Sequence, residues 1–109
     1  MTRAEYLEFF KRVQLKQLEI TTAKNADYSG AGGDQDAFAN FRQIGHLLGS
    51  KDAVAVGFLT RMSDKMSRIA SFISQGSLQV KDESVQDTLV DLSNYCLLFM
   101  AYLESEKKV

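Results

Sequence analysis

Three clusters of polar side chains carry the chemistry that this sequence could perform. The first is acidic: Glu83, Asp87 and Asp91 recur every four residues, a step that lines carboxylates along one helix face. Like charges so placed repel, and a hard cation or facing arginines would reverse the cost; Mg²⁺ takes one or two carboxylates together with waters and phosphate oxygens. The second is mixed: Arg61, Asp64, Lys65 and Arg68 fall within two turns, and such guanidinium and ammonium groups hold anionic oxygens while Asp64 adds a fourth carboxylate to a metal set. The third is the stretch KNADYSGAGG, residues 24–33, in which Lys24 suits a phosphate, Asn25 and Tyr28 suit a base or sugar, and Asp27 suits a cation. Brought together, the three would form a pocket for a nucleotide or its phosphates with Mg²⁺. Hydrolysis there would use a metal-held water attacking a phosphoryl group.

Each cluster also has a purely structural reading. Acids in a first helical turn offset the helix dipole, which accounts for Glu83 and Asp87 but not for the deeper Asp91. If the basic strip and the acidic strip face each other across adjacent helices, they make an interhelical salt-bridge lattice. The glycine-rich stretch lacks the GK[ST] ending of a phosphate-binding loop and follows no strand. His46 is the sole histidine and has no zinc-ligand partners, and Cys96 falls on an apolar stripe as a small hydrophobe.

The elements that must position these groups are helices. Proline is absent, and strong helix formers fill the chain outside two glycine-bearing stretches, so the class is all-α. The first helix is expected from about Arg3 to Ala23, opened by Thr2 and Glu5 as a capping box, with Tyr6, Phe9, Phe10, Val13 and Ile20 inward. A glycine-rich loop follows, and then a short helix capped by Asp36, with Phe38 and Phe41 in the core, Asn40 and Arg42 as polar contributors, and Gly49 at its end. The third runs from about Lys51 to Ser74, burying Phe58, Met62, Met66, Ile69 and Ile73, with Gly76 as terminator. The fourth runs from about Asp82 to Glu106, with Val85, Leu89, Leu92, Cys96, Phe99 and Leu103 as its stripe. Three long helices and one short one predict an antiparallel bundle, a single domain over residues 1–109.

Composition narrows the partners. With 13 basic and 14 acidic residues the net charge is −1, which gives no field to attract duplex nucleic acid. No apolar run is long enough to span a membrane or act as a signal peptide, and one cysteine cannot close an internal disulfide, so the expected setting is the cytoplasm. Aromatic residues such as Tyr6, Phe9, Phe10 and Tyr102 suit a two-fold pair, a homodimer.

Three segments, KNADYSGAGGDQDAFANF, RMSDKMSRI and VKDESVQDTLVDLSNYCLLFMAYL, together resemble the nucleotide modification associated domain 1 family, small helical domains common in phages. The resemblance spans most of residues 23–103. The family pattern falls on Lys24, Asn25, Asp27 and Tyr28, then on Arg61, Asp64, Lys65 and Arg68, then on Asp82, Glu83, Asp87, Asp91, Asn94 and Tyr95. It implies nucleotide metabolism or DNA base modification and, for a phage protein, the host cytoplasm. The last helix is similar, more distantly, to the acidic helix of MazG-like all-α nucleoside triphosphate pyrophosphatases, in which acids on two helices bind Mg²⁺. Here Asp64 is followed by Lys65 rather than by a second acid of an E-x-x-E pair, and the later acids step by four. The competing class is a non-catalytic phage protein that engages a host protein.

Overall fold

A computed structural model describes residues 1–29, 33, 36–38, 41–42, 53–76 and 84–106, and the described residues are all-α with no strand. They comprise α1 (Arg3–Ser29), α2 (Ala53–Gln75) and α3 (Val85–Ser105). The chain divides into two compact units, Met1–Ala39 and Asn40–Val109.

In the first unit α1 opens as its sequence requires. The Glu5 amide donates to Thr2 Oγ1 at 3.1 Å while the Thr2 amide donates to Glu5 Oε2 at 3.1 Å, a reciprocal capping box. The helix then runs 27 residues, six beyond the expected Ala23, and takes KNADYS into its last turns. Asn25 and Asp27 are weak helix formers, but each costs only about 0.7 kcal/mol, and no strong breaker occurs before Gly30. Beyond the helix, Asn25 Nδ2 donates to the Ala37 carbonyl at 2.9 Å, and Asp36 Oδ1 accepts from the Phe38 amide at 3.1 Å, an Asx turn. Phe9, Val13 and Ile20 are half-buried and Phe38 is buried, whereas Tyr6 and Phe10 are exposed.

The second unit is built on an antiparallel hairpin of α2 and α3. Its direction follows from the pairs that meet: Phe58 with Phe99, Arg61 with Tyr95, and Lys65 with Asp91, ascending on one helix and descending on the other. Gly76, at φ 76°, ends α2 in the left-handed conformation that favours glycine, and its amide donates to the Phe72 carbonyl at 2.7 Å. Ser84 caps α3: its Oγ accepts from the Asp87 amide at 3.0 Å, and Asp87 Oδ2 accepts from the Ser84 amide at 3.4 Å. The cap lies two residues after the expected start, because Ser-x-x-Asp satisfies two orphan amides at once.

The hairpin core is aromatic. Phe58, wholly buried, lies between Phe41 on one side and Phe99 on the other, with centroids 4.0 and 4.9 Å away and planes within 14° and 4° of parallel. Tyr102 packs at their edge, 6.0 Å from Phe58. Gly57 makes room for Phe41: a Cβ there would come within 3.2 Å of the ring. Val54 and Thr88 complete the set buried among the described residues of this unit.

Several residues expected inside are on the surface. Met66, Ile73 and Leu89 are exposed, as is Cys96, while Tyr102, expected at a dimer surface, is buried. The apolar stripes are wider than the seam between two helices, so each stripe covers the seam and continues onto one open flank. The expected short helix rests mostly on residues 39–40 and 43–50, outside the described residues, although Phe41 and Arg42 are helical.

Candidate functional site

The polar groups of the hairpin gather on one flank of it. At 3.6 residues per turn, Arg61, Lys65 and Arg68 follow one another along the side of α2 that also meets Asp91 and Tyr95. Lys65 Nζ lies 3.3 Å from Asp91 Oδ2, and the two side chains are 16% and 22% exposed. Arg61 Nη1 donates to Tyr95 Oη at 3.4 Å, and the same guanidinium sits 5.0 Å from the Phe41 ring centroid and 6.0 Å from that of Tyr95. Arg68 Nε is 3.8 Å from Asp64 Oδ2, one turn back on the same helix. At the far end of this flank Arg42 Nη2 donates to Glu106 Oε1 at 2.9 Å, and its guanidinium stands 5.7 Å from the Tyr102 ring centroid.

This arrangement brings one member of the acidic cluster, Asp91, against one member of the basic strip, Lys65. The basic strip and Asp91 meet directly across the seam, by the ion pair foreseen as the structural alternative. Asp87 stands one turn before Asp91, with its carboxylate already in the α3 cap. Asp64 is mostly exposed and pairs with Arg68. Glu83 lies outside the described residues. In the other unit Lys24 and Asn25 stand on the last turns of α1, Lys24 exposed and Asn25 half-buried against the returning chain. Asp27 and Tyr28 belong to the same helix, and their side chains are outside the described set, as is all of His46.

For Mg²⁺ the carboxylates give a limited fit. Among the described residues no three of His, Cys, Asp or Glu come together as a ligand set, and Asp64, Asp87 and Asp91 each have a protein partner. A closed protein cage is therefore not formed by them. The ion needs only one or two carboxylates when phosphate oxygens and waters fill its other positions, and a flank bearing Asp64 and Asp91 beside three cations meets that smaller requirement.

Two positions of the family pattern on α3, Tyr95 and Asn94, carry no expected role from sequence, and the structure gives each a distinct surrounding. Tyr95 receives the Arg61 hydrogen bond, and its place one turn after Asp91 was the available signal. Asn94 Oδ1 is buried without a hydrogen-bond partner among the described residues, a costly state for an acceptor. Among the described residues no helix is long and apolar enough to cross a membrane. No protein family, curated protein or solved structure matches the chain.

Proposed function

We propose that the polar flank of the α2–α3 hairpin binds the phosphates of a nucleotide, as expected of a phage-type domain associated with nucleotide metabolism or DNA modification. The observation that carries this reading is the concentration of Arg61, Lys65 and Arg68 beside Asp91 on a partly shielded surface. Cations there act on phosphate oxygens at a lower effective dielectric than in bulk water, which strengthens the attraction. Arg61, held by Tyr95 and the ring of Phe41, offers its donors in a preset orientation. Lys65 exchanges part of its interaction with Asp91 for a phosphate oxygen. When bound, Mg²⁺ supplies charge neutralisation between phosphate and carboxylate, with Asp64, Asp87 and Asp91 as the residues to hold it. If the domain is a hydrolase, the reaction class is that of the MazG-like pyrophosphatases.

Thermal unfolding against a panel of nucleoside mono-, di- and triphosphates, with and without Mg²⁺, tests the proposal. A nucleotide at about 100 times its dissociation constant stabilises the fold by about 2.7 kcal/mol. Arg61→Ala and Arg68→Ala should each reduce the shift, and a Lys24→Ala arm reports on the α1 cluster separately. A panel with no shift in any member refutes phosphate binding. Release of pyrophosphate in a coupled assay then decides for or against catalysis.

The second reading, a non-catalytic protein that engages a host protein, is favoured by α1 itself. Tyr6, Leu7, Phe10, Leu15 and Leu18 are all exposed there, more apolar surface than a solvent-facing helix needs.

A further inference from the structure

Opposite its polar flank the hairpin bears an apolar one. Leu59, Met66 and Ile73 recur every seven residues along α2, and Leu89, Cys96 and Met100 follow the same side of α3. Because α2 and α3 run antiparallel, the flanks that these residues occupy emerge on the same side of the seam, away from Lys65 and Asp91. The five larger side chains are between 44% and 77% exposed, and Cys96 is exposed with them. Every charge of α2, namely Arg61, Asp64, Lys65 and Arg68, lies off this flank, and on α3 only Glu104 stands at its edge.

We infer that this flank is the interface with a second copy of the chain, α2 and α3 of each copy forming half of a four-helix core. The inference goes beyond the phosphate-binding reading and does not depend on it. Three observations select a second copy as occupant. First, the five side chains leave on the order of 600 Å² of apolar surface open, at the upper limit of what a monomer exposes as one patch. With their rim they approach the ~800 Å² per partner of a stable interface. Second, the seven-residue recurrence on α2 is the spacing at which side chains of one helix enter the gaps of another, so the surface is shaped for helices. Third, a flank almost without charge presents no like-charge repulsion to its own image, and a two-fold axis brings the same patch to both sides.

Cys96, the only cysteine, is a built-in reporter. Its rate of reaction with a maleimide should fall roughly tenfold or more from dilute to concentrated protein, in step with the rise of dimer in sedimentation equilibrium. Met66→Glu should yield a monomer of undiminished helical circular dichroism whose thiol reacts fast at every concentration. The inference is overturned by a native chain that stays monomeric at its highest attainable concentration. That holds whether the thiol is reactive, leaving the flank bare, or protected, showing that another part of the same chain covers it. It is equally overturned by a dimer in which Cys96 remains fully reactive. The thiol measurement uses the native chain, so it decides the matter even if Met66→Glu does not fold. Nucleotide shifts that vanish while the dimer persists would remove the functional reading alone.

Discussion

Lys65 Nζ and Asp91 Oδ2 face each other at 3.3 Å across the α2–α3 seam, with less than a quarter of either side chain open to solvent. That degree of shielding puts the pair between two regimes. Exposed pairs contribute about 0–1 kcal/mol, while stripping one partner from a fully buried pair costs about 3–5 kcal/mol. Lys65→Met should therefore destabilise the fold by about 1–2 kcal/mol in urea unfolding, and Asp91→Asn by a similar amount. The double variant should lose less than the two single losses combined, which a double-mutant cycle reads directly.

The ring stack sets the largest single dependence. Phe58→Ala removes a wholly buried ring between two others and should cost about 3–5 kcal/mol, a large share of the about 5–15 kcal/mol that holds a domain folded, read as a strongly lowered midpoint in urea unfolding. Phe58→Leu should retain folding with a lower melting temperature.

Gly57→Ala opposes two effects. Alanine gains about 1 kcal/mol of helix propensity, but its Cβ would stand 3.2 Å from a Phe41 ring that is itself held against Phe58. Overpacking of a fixed neighbour costs about 1–3 kcal/mol, so the net change should be a loss of about 1 kcal/mol in denaturant unfolding. A gain would show that Phe41 yields.

Asp87 separates a cap from a metal ligand. Ser84→Ala should cost about 1 kcal/mol by removing the acceptor for the Asp87 amide. Asp87→Asn keeps an oxygen for the Ser84 amide and should cost well under 1 kcal/mol. Under the phosphate-binding proposal, in which Asp87 would share the ion with Asp64 and Asp91, it should nonetheless weaken the Mg²⁺-dependent part of any nucleotide shift. Full retention of that part would leave Asp87 with the cap alone.

The sequence rules worked where a local pattern decides the outcome. Thr2 with Glu5, and Gly76 after the last turn of α2, are determined by neighbours within a few residues, and both appear as expected. The same capping rule, applied to Ser84 and Asp87, would have placed the start of α3. The accumulation of polar residues from Lys24 to Ser29 reads as a loop, yet polarity does not break a helix while glycine does, and the first glycine is Gly30. Which half of a wide apolar stripe is covered depends on the neighbouring helix. Periodicity alone therefore could not separate Phe58, in the seam, from Met66 and Ile73, beside it. The meeting of the basic strip with Asp91 was foreseen as a possibility of spacing; the part of Tyr95 depended on register across the hairpin, which no single helix encodes.

Arg42 and Glu106 are joined over a separation of 64 residues. A bond of that span closes early only at a high entropic cost, whereas once α2 and α3 have met it encloses an already ordered path. The latch around Tyr102 is thus a late event in folding. Severing it with Arg42→Ala should hasten unfolding while leaving the refolding rate nearly unchanged, so that the residue acts as a timer on how long the native state survives.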